Sequence, residues 1–153
     1  MPLLLMACAK ERSRQDRRMF AEQSVPRVLD SLHDAAAKAD EERYFRLFAH
    51  DAIFLGTDDA ERWTVKEFRA YAHPYFSKGQ GWTYTVVERH VYVSGDGCLA
   101  WFDETLDNEK WGRCRGSGVL VGDWGPGWKI VEYNVTVRVP NDLLPEVAGR
   151  IKE

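Results

Sequence analysis

WTYTVVERHVYVSGDGCLAWFDETLDNEKWGRCRGSGVLV, residues 82–121, alternates apolar and polar side chains with a period of two. That period belongs to strands exposed on one face and buried on the other. Threonine, valine, tyrosine and tryptophan dominate it, the types that suit a pleated, half-buried surface. Ser94-Gly95-Asp96-Gly97 is a hairpin turn and Asn108-Glu109-Lys110 a second. The segment therefore splits into strands at Trp82–Val93, Cys98–Leu106 and Arg113–Val121. A third break, Asp123–Gly127 (DWGPG), leads into a last long strand, Trp128–Val139. Three hairpins in succession give an antiparallel meander. Strands this long twist and curl rather than lie flat.

Upstream the period becomes helical. Val28, Leu29, Leu32, Ala35, Ala36 and Ala39 form one stripe of an amphipathic helix from about Val25, with Pro26 in its first turn. Asp40 reads as an N-cap for a short helix carrying Tyr44, Phe45, Leu47 and Phe48. Ala52–Leu55 is a short strand ending at Gly56. Thr64 and Glu67 form a capping box for a third helix with Phe68, Tyr71, Ala72 and Tyr75 on its apolar side. Pro74 bends or ends it, and Lys78–Gly81 is a break. Leu143–Ile151 is a short C-terminal helical piece. The expected fold is α+β: a curved antiparallel sheet packed on N-terminal helices around a small pocket, residues 23–153, preceded by a tail, residues 1–22.

The 153 residues suit one domain that needs no staple. A net charge of −3 and the absence of a basic patch interleaved with aromatics argue against nucleic acid. Cys8, Cys98 and Cys114 have no metal-ligand spacing, and no nucleotide-binding or hydrolase motif is present, so neither metal nor cofactor is expected. His33, His50, His73 and His90 are scattered; His33 falls on the polar flank of its helix, and only His73 is placed near the pocket. Leu5-Met6-Ala7-Cys8 resembles the end of a bacterial lipoprotein signal, but its lead is shorter than the ~7–15 apolar residues such signals need. If the start lies upstream, Cys8 is lipidated and the protein is a periplasmic, membrane-anchored lipoprotein, with Lys10–Arg18 as a polar tether. Otherwise it is cytoplasmic.

FLGTDDAERWT (54–64), YAHPYF (71–76), GQGWTYT (79–85), VSGDGCLAWFDETLDN (93–108), CRGSGVLV (114–121) and WKIVEYNVTVRVPNDL (128–143) together resemble the SnoaL-like branch of the nuclear transport factor 2-like (NTF2-like) superfamily. The resemblance covers about Val25 to the end. It implies a cone-shaped α+β barrel with an internal cavity, usually dimeric through the sheet. It implies no single activity, because polyketide cyclases, isomerases, dehydratases and non-catalytic modules all share the fold. Many relatives carry histidine in the last strand, where this chain has Glu132 and Asn134.

Three-residue turns at Gly95–Gly97 and Asn108–Lys110 place Arg89 across from Asp103, Asp103 across from Arg115, and Trp101 across from Ser117. The last loop then places Arg115 across from Asn134 and Ser117 across from Glu132. One face would hold Arg89, Trp101, Asp103, Arg115, Ser117, Glu132 and Asn134, a set that fits the wall of a ligand cavity with Asp103–Arg115 as its central ion pair. A structural ion-pair network that pins the register accounts for the same residues. In that register Cys98 and Cys114 stand ~20 Å apart along the strands, too far for a disulfide. The resemblance implies that the loop before the third helix sits near the cavity mouth, which makes Asp59 and Trp63 the remaining candidates. The opposite row, Val131, Tyr133, Val135 and Val137, would form a homodimer face. Two functions follow: a small-molecule-binding protein, extending to a cofactor-independent acid–base enzyme of isomerase, cyclase or dehydratase type, or a non-catalytic dimeric module.

Overall fold

The computed structural model describes the backbone of residues 2–122 and 127–153 and the side chains from residue 13 on. The Cys8 side chain and residues 123–126 of the last loop lie outside those described residues. The first helix, α1, runs Pro2–Ala37, through the expected tether and with Pro26 inside it. Its buried stripe is Ala21, Val25, Leu29, Leu32, Ala35 and Ala36, spaced three or four residues apart until the last step. Asp40 caps α2 (Glu41–Arg46) as expected, its carboxylate accepting from the Arg43 N–H at 3.1 Å. No described helix is long and apolar enough to cross a membrane.

Strand β1 (Phe48–Leu55) turns back through β2 (Arg62–Thr64) into α3 (Val65–Phe76). The Thr64–Glu67 capping box is formed in both directions. Pro74 is accommodated in the last turn of α3, which then ends at Ser77. The meander follows as β3 (Thr85–Val93), β4 (Leu99–Asn108), β5 (Gly112–Val121) and β6 (Lys129–Val137), and α4 (Leu144–Ile151) closes the described chain.

The sheet is open and ordered β2-β1-β6-β5-β4-β3. It is not purely antiparallel: β1 pairs with β6 in parallel. Its concave face meets α1, α2 and α3. That face carries Ala100, Phe102 and Leu106 of β4, Cys114 and Leu120 of β5, and Ile130, Tyr133 and Val135 of β6, all buried.

The register differs from the expectation at all three hairpins: between β5 and β6, Ser117 lies opposite Asn134 and Arg115 opposite Thr136, and the first two differ for one reason. In the β3–β4 turn, Asp96 Oδ1 accepts from Ser94 Oγ at 2.6 Å and from the Cys98 N–H at 3.1 Å, drawing Cys98 into the turn. Ser94 then pairs with Leu99 rather than Cys98, and β3 shifts by one residue. Arg89 therefore faces Glu104, and His90 faces Asp103. In the β4–β5 turn, Asn108 Oδ1 accepts from the N–H groups of Lys110 and Trp111, extending the turn to Glu109–Trp111. Asp103 then lies opposite Ser117, and Arg115 opposite Thr105. This second shift is two residues, so the facing of β5 is unchanged. Cys114 lies opposite Leu106, further still from Cys98, and both thiols are free.

Candidate functional site

An aromatic cleft of about 270 Å³ opens between α3 and the concave face of the sheet. Phe54 of β1, Trp63 of β2, and Phe68 and Tyr71 of α3 form one wall. Trp82 and Tyr84, on the run into β3, Trp111 and Lys110 of the β4–β5 turn, Val135 of β6, and Gly56, Thr57 and Glu61 of the β1–β2 loop form the rest. The capping box fixes where α3 begins, and so where Phe68 and Tyr71 project. The wall rings are nearly coplanar in orientation: Phe54 and Phe68 stack at 3.7 Å with 16° between planes, and Trp63 and Phe68 lie at 5.7 Å and 11°. This stack borders the cleft, and offset stacking against such planes favours a flat guest.

Phe54, Trp82, Tyr84 and Val135 are shared with a second, inner chamber of about 20 Å³, just large enough for one water-sized group. His33, Tyr44 and Tyr133 line that chamber. Behind it is Glu104, the one charged side chain buried among the described residues. His33 Nε2 lies 2.7 Å from Glu104 Oε1, Arg89 Nε donates to Glu104 Oε2 at 2.8 Å, and the Tyr133 hydroxyl donates to Glu104 Oε1 at 3.2 Å. Arg89 Nη1 also donates to Asp30 Oδ1 at 2.7 Å and to the Pro26 carbonyl at 3.2 Å, tying β3 to α1.

Burial pushes the Glu104 pKa up, but the hydrogen bonds and charges of His33 and Arg89 outweigh it and hold the carboxyl below its usual value. Burial, helped by the Glu104 charge, drives Tyr133 well above a normal phenol. Gly116 makes room for the cluster: a Cβ there would sit 2.8 Å from Glu104 Oε1 and 2.9 Å from the Tyr133 hydroxyl. A carboxylate fixed by arginine orients an imidazole. The His33 Nδ1 has no hydrogen-bond partner among the described residues, which leaves it free to exchange a proton with a guest.

The residues expected from sequence divide. Trp63 is in the cleft wall. Arg89 is in the buried cluster, paired with Glu104 instead of Asp103. Trp101, Asp103, Arg115, Ser117, Glu132 and Asn134 share a face, as expected, but it is the outer face of the sheet, away from the cleft. Trp101, Asp103, Arg115 and Glu132 are exposed. Asp103 and Arg115 do not pair; the near partner of Asp103 is His90, at 3.4 Å. His73 is on the outer surface of α3, where its Nδ1 meets Glu41 at 2.8 Å beside Arg69. Asp59 is exposed and outside the cleft lining. The expected dimer row is likewise inverted, since Tyr133 and Val135 are core residues.

His33, Glu104, Tyr133, Gly116 and Tyr84 were not anticipated. One signal was available: in the row Ala100, Phe102, Glu104, Leu106 the glutamate is the lone charge in an apolar alternation.

A helix-backed, curved open sheet enclosing a cleft is the NTF2-like fold. The chain belongs to the SnoaL-like domain family, whose model matches residues 25–140. Solved structures agree on the fold. A candidate dehydratase of the NTF2-like family from Streptomyces avermitilis superposes with a TM-score of 0.65 at 12% identity, covering 77% of this chain and 96% of that one. A candidate scytalone dehydratase from Novosphingobium aromaticivorans gives 0.64 at 11% identity, covering 82% and 89%. A candidate ketosteroid isomerase from Parabacteroides distasonis gives 0.57 at 16%, covering 73% and 86%. No curated protein matches the sequence.

Proposed function

We propose that the chain binds a flat, mostly apolar small molecule in the aromatic cleft and moves a proton on it with His33, without a cofactor. The observation that carries this is the 2.7 Å contact between His33, in the inner chamber behind the aromatic cleft, and the buried Glu104. A buried carboxylate–imidazole pair beside a cavity is the arrangement a general base needs. Glu104 orients the ring, and the stacked aromatic wall of the cleft holds the guest flat. The solved relatives described as candidate dehydratases and a candidate isomerase are compatible with this class of reaction. Flat naphthalene-sized compounds should quench the cleft tryptophans, Trp63, Trp82 and Trp111, and raise the melting temperature. Val135→Trp should fill the cleft and abolish both signals in a folded protein. Undiminished binding by that variant would place the ligand elsewhere.

A homodimer through the outer face of the sheet is proposed alongside. Tyr92 and Trp101 stack there at 5.7 Å and 15°, each close to half exposed, with Leu99 and Val121 also exposed. Large exposed apolar patches are uncommon on monomers. Sedimentation at micromolar concentration should give a dimer mass that Trp101→Asp halves; a monomeric wild type ends the idea.

A further inference from the structure

The buried stripe of α1 runs back through Leu32, Leu29 and Val25 to Ala21. Three, four and seven residues before Ala21, the same face carries Arg18, Arg17 and Arg14. The face that meets the sheet in the body of the domain is therefore basic where the helix passes the β3–β4 turn. The turn is braced against it at Gly97: a Cβ there would sit 2.7 Å from the Arg17 Cβ and 2.9 Å from the Arg17 carbonyl carbon. Beside that contact opens a groove of about 440 Å³, lined by Arg14, Gln15, Arg18, Met19 and Glu22 of the helix and by Gly95 of the turn. It shares no residue with the aromatic cleft.

The charges around this groove are not balanced. Arg18 Nε donates to Glu22 Oε1 at 3.0 Å, which leaves its terminal nitrogens open. Arg14 forms no ion pair among the described residues, and Arg17 Nε is buried with no hydrogen-bond partner among them. The acids nearby are Glu22 and Asp96, and the Asp96 carboxylate already accepts from Ser94 and Cys98 inside the turn. Concave surfaces with an excess of one sign concentrate the opposite charge. Arg14 and Arg18 are one helical turn apart, about 6 Å between their Cβ atoms. Two guanidinium forks at that spacing can grip different oxygens of one tetrahedral anion. A carboxylate offers them two oxygens and one charge, whereas a phosphate monoester offers three oxygens and nearly two charges. Met19, half exposed, gives an apolar shoulder to whatever carries the anion. We infer that this groove is a binding site for a phosphate group, carried by a soluble phosphorylated compound or by a lipid headgroup, with Arg14 and Arg18 as its clamp and Arg17 as supporting charge.

The test uses the full chain and two kinds of probe. In solution, phenyl phosphate and benzoate are titrated against the Gly95 and Gly97 amide signals by NMR. At a surface, the protein is sedimented with phosphatidylcholine vesicles made with and without phosphatidic acid. Phenyl phosphate should shift both amides and bind about tenfold tighter than benzoate, the worth of the extra charge-assisted contact. Arg14→Gln and Arg18→Gln should each weaken that binding about tenfold. Both side chains are exposed, so the melting temperature of either variant should stay close to that of the wild type. Phosphatidic-acid vesicles that retain the wild type and release Arg14→Gln identify a headgroup as a source of the phosphate. Phenyl phosphate binding with no vesicle retention identifies a soluble compound. Equal affinity for benzoate and phenyl phosphate overturns the phosphate assignment. Binding that both substitutions leave intact, or neither amide shift nor vesicle retention, overturns the site.

Discussion

The two faces of the β4–β5–β6 sheet are built from alternate residues of the same strands, yet they differ in what a charge does there. The outer face carries Asp103, Arg115 and Glu132, all exposed, and among the described residues neither Arg115 nor Glu132 forms an ion pair. The concave face carries a single charge, Glu104, fully buried and contacted by three side chains. A cluster of charges on an open face is solvated and held weakly. One charge in an apolar row must be met from every side, because an unmatched buried ion is costly. For locating a site, the isolated charge is therefore the more informative pattern.

Neighbouring residues on opposite faces test this most directly. Glu104→Ala strands the Arg89 guanidinium in a buried setting and should lose about 3–5 kcal/mol in urea unfolding. Asp103→Ala, one residue earlier on the same strand, should cost under ~0.5 kcal/mol. Comparable losses from the two would erase the distinction between the faces.

Acid should expose the same difference as a slope. The Glu104 pKa is lowered in the folded state, so the unfolded chain binds its proton first as pH falls. The stability it contributes is full above its unfolded value of about 4.5 and drains away as pH drops through the folded value. Urea midpoints measured from pH 7 to pH 3 should fall for the wild type. Glu104→Gln should start lower and fall less steeply; an unchanged acid limb would show that Glu104 does not carry it.

Steric room separates the faces next. Gly116→Ala places a methyl against the Glu104 carboxylate and the Tyr133 hydroxyl, both already fixed, and should cost about 1–3 kcal/mol. Ser117→Ala, beside it on the outer face, should be close to neutral. Equal effects would mean that the cluster can shift to accept a side chain.

Much of the fold was legible because its signals are local. The Asp40 cap, the Thr64–Glu67 box, the α1 stripe and the alternating strands each rest on residues a few positions apart. The facing of the sheet was not legible. It turned on Asp96 drawing Cys98 into the turn, a one-residue change that moves Arg89 from the Asp103 side to the Glu104 side. Nor was the parallel β1–β6 pairing, which joins the start of the chain to its end. His33 read as a polar-flank residue because its partner is 71 positions away. A helix flank that is polar by composition is not thereby solvent-exposed. Trp63 was found through the resemblance, which puts its loop near the cavity mouth.

The smallest loss expected within the Glu104 cluster is also the most discriminating. Tyr133→Phe removes one of three contacts to Glu104 and leaves Arg89 and His33 in place. The carboxylate stays paired, so no charge is stranded, and the loss should be about 1 kcal/mol. The ring keeps its packing against Phe54 and Phe102, so a larger loss would mean that the hydroxyl positions the whole cluster. Coupling separates the two cases. Removing the hydroxyl also removes one of the atoms that a Gly116 methyl would strike, so Tyr133→Phe and Gly116→Ala together should cost less than the sum of their separate effects. Tyr133→Phe and Asp103→Ala, on opposite faces, should simply add. Measured by urea unfolding of the three single and two double variants, additivity in the first pair would mean that Tyr133 and Gly116 do not share one packed site.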